Sequence, residues 1–377
     1  MNIPEEESFE TLDQRVIDSV DKRFLVLDHF YDQGRPIFIV DAKGEGFKGR
    51  LIKEAFVDLT NEIREYGYLP QLKWIVDRYY IYIIKKEASG EENYKWNLYL
   101  FIATVGFVML DGYLRSNNPI LTEELMRGTH PLFNAALFTF AIITIFGVHE
   151  MGHKAVSIYR GVDASMPYFI PAPPGMGGTL GAVITQREPP VNRDALWDLG
   201  IAGPLAGFFM TLIISVIGAS LSFVVPETEI FGWMFQYPAI RFQEMPMPLM
   251  LDLVLNWLKP APEGYALIMH PVAFAAWVGC LVTFINLIPS WQLDGGHIMR
   301  AFVGRESHKI ISIAGILILV VSGYFVMGVM VAFFMMRQGN ESMTPLDDLS
   351  PLSFRRKIGM VLYLALIGFC LIALLPF

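Results

Sequence analysis

Phe146-Gly-Val-His-Glu-Met-Gly-His153 closes an apolar run that begins at Ala135. On a helix, residues four apart share a face, so His149 and His153 aim two imidazoles at one point. Glu150 lies about 100° round the helix from His149. It is placed to act on a water beside a metal ion rather than on the ion, which makes it the candidate general base. The preceding run is apolar enough to enter a membrane. A charged side chain at the bilayer centre costs about 2.5–3.5 kcal/mol on insertion scales, so a Glu in this setting marks function. A chance H-E-x-x-H, or a His capping a helix end, would give the same letters. The structural context must separate these readings.

The 377 residues are 53% hydrophobic and carry a net charge of −8. Soluble domains are about 45–50% apolar even with Gly counted. The excess lies after Tyr94, so a soluble portion over residues 1–93 precedes an integral membrane region over 94–377. The acidic balance argues against a nucleic-acid partner. Cys280 and Cys370 both sit in apolar runs without C-x-x-C spacing. They read as buried packing residues, with no disulfide framework and no cysteine zinc site. Met1 to Asp21 is acidic and polar, lacking the features of a signal peptide and of a transit peptide. That favours a prokaryotic cell membrane, archaeal or bacterial, over organelle import.

The N-terminal portion reads as a small α+β module. Residues 1–20 are expected to be loosely ordered. Phe24–Leu27 and Ile37–Val40 are short strand signals separated by the turn Gly34-Arg-Pro36. Leu51, Ile52, Ala55, Phe56, Leu59 and Ile63 recur at helical spacing, predicting an amphipathic helix over about residues 50–66 that stops at Gly67. Trp74–Val76 and Tyr79–Ile84 add one or two strands, and Ala88–Glu92 is a polar linker. No constellation here suggests chemistry. A packed accessory domain is the plain reading, and substrate recruitment or gating the sharper one.

A spanning helix needs about 20 mostly apolar residues. The candidates number about six: residues 96–114, 133–153, 198–224, 270–290, 308–335 and 357–376. Gly200, Gly203 and Gly207 open the third and allow it close approach to the helix carrying His149. Leu249–Leu258 is too short to span and reads as an interfacial helix. Lys154, Arg160, Arg187, Arg193, Arg300, Arg305 and Lys309 lie in loops of one side, which the positive-inside rule makes cytoplasmic. The N-terminal module then lies inside too. Arg337 and Arg355–Lys357 conflict with this scheme. The loop Met166–Gly175 is apolar but proline-rich, and Gly177–Ile184 alternates small and branched residues. Irregular backbone at membrane depth is tolerated when it is buried in protein or lines a wet cavity. A re-entrant hairpin beside the site is therefore expected. Gly178, Thr179, Leu180 and Gly181 on its strand edge would hold an extended peptide by strand addition. A structural surface loop is the competing reading.

Catalytic zinc takes three protein ligands plus water. Asn286-Leu-Ile-Pro-Ser-Trp-Gln-Leu-Asp-Gly-Gly-His297 offers Asp294 as the third, with His297 as a rival. Gly295 and Gly296 remove bulk beside Asp294. The Asn286 amide is placed to stabilise an oxyanion. His149-Glu-x-x-His153, combined with Asn286-x-x-Pro289 and Leu293-Asp-Gly-Gly296, resembles the site-2 protease family of intramembrane zinc metalloproteases. Phe169-Ile-Pro and Gly178-Thr-Leu-Gly181 resemble its subgroup of archaeal members and plastid EGY proteases. The resemblance covers about residues 130–300. It implies one zinc held by His149, His153 and Asp294, Glu150 as base, and cleavage of a transmembrane protein substrate within the lipid bilayer. No PDZ or CBS signature is present. A homo-oligomer is compatible with the sequence. A membrane metal transporter is the rival class, but no second copy of either motif appears, as the internal repeats of transporters would lead one to expect. An inactive relative that binds membrane helices would be expected to lack Glu150 or a ligand, and all are present.

Overall fold

A computed structural model describes residues 13–32, 34–42, 50–86, 94–175, 177–242, 244–338 and 344–372. The expected loose order over residues 1–20 gives way to a helix at residue 14. In α1 (Gln14–Arg23) the Asp13 side chain accepts from the Arg15 N–H at the N-cap, and Val16 and Val20 are buried on one face. Residues 1–12 and the expected linker Ala88–Glu92 lie outside the described residues. There follow β1 (Phe24–Asp32), β2 (Arg35–Ala42), α2 (Arg50–Glu65), β3 (Tyr68–Ile75) and β4 (Arg78–Lys85). The four strands make an antiparallel sheet of order β1-β2-β4-β3. Phe56, Leu59 and Ile63 of α2 share a core with Phe38, Ile81 and Ile83 of the sheet. Gly67, at φ +83, supplies the left-handed turn that ends α2.

The remainder is mostly helical: α3 (Tyr94–Ser116), a π-helical turn at Ile120–Leu125, α4 (Pro131–Tyr159), β5 (Tyr168–Pro171), β6 (Thr179–Val183), α5 (Arg193–Leu221), β7 (Phe223–Pro226), α6 (Glu227–Gln236), α7 (Leu249–Leu258), β8 (Tyr265–Ile268), α8 (Pro271–Leu287), α9 (Asp294–Val303), α10 (Arg305–Val321), α11 (Phe325–Gln338) and α12 (Phe354–Cys370). Among the described residues three helices, α3, α4 and α5, are long and apolar enough to cross a membrane. The helices α4, α5 and α8 meet on small residues. A Cβ on Gly152 would lie 2.7 Å from the Ala202 carbonyl oxygen, and one on Gly279 would lie 2.5 Å from Thr211 Oγ1.

The stretch read as one span over 308–335 is two helices. Gly323, at φ +92, reverses the chain between α10 and α11. Tyr324 N–H donates to Leu319 O (2.8 Å) and Gly323 N–H to Val320 O (3.2 Å), the paired bonds of a glycine-terminated helix end. Gly328 of α11 lies back against Val320 and Ile316 of α10. Arg337 therefore returns toward the end where α10 begins. The charges gather there. Arg356 pairs with Asp194 (3.0 Å) and Asp198 (2.7 Å), while Arg193 (3.0 Å) and Arg300 (2.6 Å) share Asp348.

β5 and β6 form an antiparallel hairpin with Tyr168 opposite Val183 and Ile170 opposite Gly181. It runs beside α3. Asn97 Nδ2 donates to Pro167 O (3.0 Å) near one end of that helix, and Asp111 Oδ1 accepts from Gly175 N–H (2.6 Å) near the other. Asn97 and Asp111 are separated by about 21 Å of helix at 1.5 Å per residue. Gly178 sits at φ +74, and a Cβ there would lie 2.5 Å from Val108 Cα. Gly178→Ala is therefore expected to cost about 2–4 kcal/mol, from the left-handed backbone together with the clash. Gly106→Ala, where a Cβ meets nothing within 4 Å, should be neutral or mildly stabilising. Thermal unfolding of the detergent-solubilised variants checks the contrast.

Candidate metal centre

His149 and His153 lie on consecutive turns of α4, inside the described fold rather than on its surface; His149 is 4% exposed. The third element arrives from the break after α8. That helix ends at Leu287, and the chain turns through Pro289 and through Trp291, held at φ +42. It then starts α9 at Asp294. Gly296 permits the turn, since a Cβ there would lie 2.7 Å from the Ser290 carbonyl oxygen. Asp294 Oδ2 comes 3.3 Å from His149 Nε2, and Oδ1 comes 3.3 Å from His153 Nε2. The two imidazole Nε2 atoms are themselves 3.3 Å apart.

Those three separations test the donor set. A tetrahedral ion with ligand distances of about 2.0–2.1 Å has ligand–ligand edges of about 3.3–3.4 Å. The two imidazole nitrogens meet that edge length, and each also stands 3.3 Å from a different oxygen of the Asp294 carboxylate. One ligand atom from each of the three residues lies within 4.8 Å of the others, a metal-capable group among the described residues. The tautomer fits as well. His153 Nδ1 lies 2.8 Å from the Leu199 carbonyl oxygen, which accepts its proton and leaves the Nε2 lone pair facing the cluster. His297 lines the same cavity but stands outside the three-residue group.

The glycines of α5 make the room. A Cβ on Gly203 would fall on the His153 imidazole, and one on Gly207 would lie 2.9 Å from His149 Nδ1. Glu150, 6% exposed, places Oε1 4.0 Å from His149 Nε2, beside the cluster rather than in it. Asn286 Nδ2 lies 3.3 Å from His149 Nε2. A cavity of about 420 Å³ opens on these groups, lined also by Ala182–Gln186, Gln292 and His297.

The hairpin residues separate by role. Gly178 packs on α3. Thr179 Oγ1 donates to Ile170 O (2.8 Å) and accepts from Gly181 N–H (3.0 Å), and Gly181 faces Phe146. Leu180 is 60% exposed. The residues of the hairpin that line the cavity lie just beyond, at Ala182–Gln186. Sequence reading ended its strand signal at Ile184 and so missed Thr185 and Gln186, and it missed Leu199, which acts through a carbonyl that every residue type possesses.

The model of peptidase family M50 matches residues 137–330, just over half of the chain and including every residue of the cluster. The chain belongs to this family, that of the site-2 proteases. It is similar to the probable chloroplastic zinc metalloprotease EGY2 of Oryza sativa subsp. indica, 31% identical over 59% of this chain and 40% of that one. It is 30% identical to the Arabidopsis thaliana EGY2 over 58% of this chain and 38% of the relative. With the probable EGY3 of A. thaliana the identity is 24% over 87% of this chain and 58% of the relative. The chain thus spans about two fifths of the length of the EGY2 relatives. No solved structure matches it.

Gly203→Ala should fold yet lose most of its zinc, because the added methyl displaces the His153 ring. Asp294→Ala should also lower zinc content. Metal analysis of the purified variants by mass spectrometry, with unfolding curves as the control, checks both; full occupancy in Asp294→Ala would point to another ligand such as His297.

Proposed function

We propose that this M50 chain is an intramembrane zinc metalloprotease that hydrolyses a peptide bond in or near the transmembrane helix of a membrane-protein substrate. The observation that carries the reading is the convergence of the His149 and His153 Nε2 atoms, 3.3 Å apart, each 3.3 Å from an oxygen of the Asp294 carboxylate, with the buried Glu150 carboxylate beside them. One zinc ion held by these residues would supply Lewis-acid polarisation of the scissile carbonyl and a water whose pKa falls toward about 7. Glu150 accepts the proton of the attacking water and returns it to the leaving amine. The Asn286 amide faces the same cavity and donates to the carbonyl oxygen as negative charge develops.

The substrate arrives as an extended segment. A helical backbone hides its carbonyls in hydrogen bonds, so the substrate helix must unwind locally before cleavage. The strand continuing from β6 supplies a receiving edge. Its Thr185 and Arg187 backbone groups bond to Ser165 and Asp163 on one side. In antiparallel pairing alternate residues face opposite edges, so Ala182, Ile184 and Gln186 turn theirs toward the cavity. The hairpin enters the bilayer from the cytoplasmic side, beside the exposed Leu180, and Gly178–Gly181 hold the edge in place. The protein is a multi-pass protein of a cell membrane, with its basic end and N-terminal module cytoplasmic; the cluster of Arg193, Arg300 and Arg356 at one end supports this orientation.

Glu150→Gln tests the chemistry. It should retain zinc and lose cleavage of a single-span membrane substrate by about 10²-fold or more. Retained turnover in that variant overturns the assignment of the base.

A further inference from the structure

The N-terminal module does not hang free of the catalytic region. Val191 and Leu346, which lie outside the module in sequence, are buried in its hydrophobic core. Leu72 N–H of β3 donates to Leu346 O (2.9 Å), Leu346 N–H to Pro190 O (3.0 Å) and Asp347 N–H to Val191 O (2.8 Å), so the module's sheet continues into the segment between the hairpin and α5. Lys53 pairs with Asp194 (2.7 Å) at the start of α5.

The contact of consequence is Glu188. Its carboxylate is 4% exposed, and its partners Arg64 (Nε to Oε2, 3.2 Å) and Lys86 (Nζ to Oε1, 2.6 Å) both belong to the module. Arg64 reaches it across Gly161, where a Cβ would lie 2.7 Å from Nη1. Glu188 is four residues beyond Ile184, which lines the cavity together with Glu150. Between them the strand is fixed by Ser165 N–H to Thr185 O (2.9 Å) and Arg187 N–H to Asp163 O (2.9 Å). Pro189 and Pro190 follow, with φ locked and no N–H to pair elsewhere. The strand is therefore held along one side by residues 163–165 and at its far end by the module at Glu188.

We propose that the N-terminal module is a positioning element for the reaction: Arg64 and Lys86, acting through Glu188, hold the strand whose residues 182–186 line the cavity beside Glu150 and turn its edge to the substrate. The proposal rests on the protease reading above. Glu188, Arg64 and Lys86 touch no reacting atom. A buried carboxylate whose charge is met by another module makes the link strong only while that module is seated. Movement of the module, by a partner or by a change in the linker, would then be felt at the substrate edge.

The test uses the full-length, detergent-solubilised zinc protein and a single-span model substrate with Gly-Pro near the middle of its helix. Hydrogen exchange is followed in peptides over 179–188, with peptides from α2 and α4 as fold controls. In Glu188→Gln, exchange at 182–187 should rise about tenfold and kcat should fall about tenfold, at unchanged zinc content, and Glu188→Asp should recover much of both. Should Glu188→Gln fail to fold, Lys86→Gln carries the same expectation in smaller degree. Exchange at the wild-type level overturns the tether. Raised exchange with unchanged kcat overturns its role in the reaction. If wild-type protein cleaves nothing, the protease reading fails separately, and exchange still decides whether the module holds the strand.

Discussion

The close approach of α4 and α5 is the constraint on which the rest depends. Two imidazoles and a carboxylate in an apolar bundle are costly unless they are paired or bind a metal. They can meet only if the facing helix gives them space. Gly203 and Gly207 supply that space, and Gly152 lets the two backbones come together below it. A larger side chain at any of these points would separate the helices or turn an imidazole aside. The metal-capable cluster is thus a property of a helix interface, and the H-E-x-x-H motif is only one half of it.

The other half depends on a break in a helix. An unbroken α8 would carry Asp294 on past the site. Pro289, the left-handed Trp291 and the paired glycines 295 and 296 end the helix at the depth of His149 and start α9 with its carboxylate inward. Irregular backbone at this depth stays satisfied because neighbours take up its polar groups. Ser290 Oγ donates to Ser312 O (2.9 Å), Trp291 N–H donates to Ser312 Oγ (3.1 Å), and Leu287 O accepts from Tyr363 Oη (2.8 Å). Helices α10 and α12 thus serve the site without contributing a ligand.

At one end of the molecule the acidic residues 194, 198 and 348 collect arginines from four separate segments. The N-terminal sheet docks on that same end through residues 190–191 and 346–347. Charge that reads in sequence as a scatter of basic loops becomes a joint between the N-terminal α+β module and the helical region. The joint lies beside the strand that edges the cavity.

The sequence by itself determined what depends on local spacing. His149 and His153 had to share a helix face, Asp294 stood out as a carboxylate among apolar residues, and the small residues of α5 announced a close helix contact. The alternation and periodicity of residues 24–85 spelled out the α+β module apart from α1, whose short amphipathic pattern was hidden in an acidic stretch. Only the tertiary structure decided what depends on backbone groups and long-range pairing. The fold of residues 308–335 into two helices turned on Gly323, a single left-handed residue inside an otherwise continuous apolar run. The Leu199 carbonyl, the cavity edge at Thr185–Gln186 and the joint through Glu188 carry no signal in residue type. A carbonyl is present at every position, and a buried ion pair reads as two ordinary surface charges until the chain has brought them together.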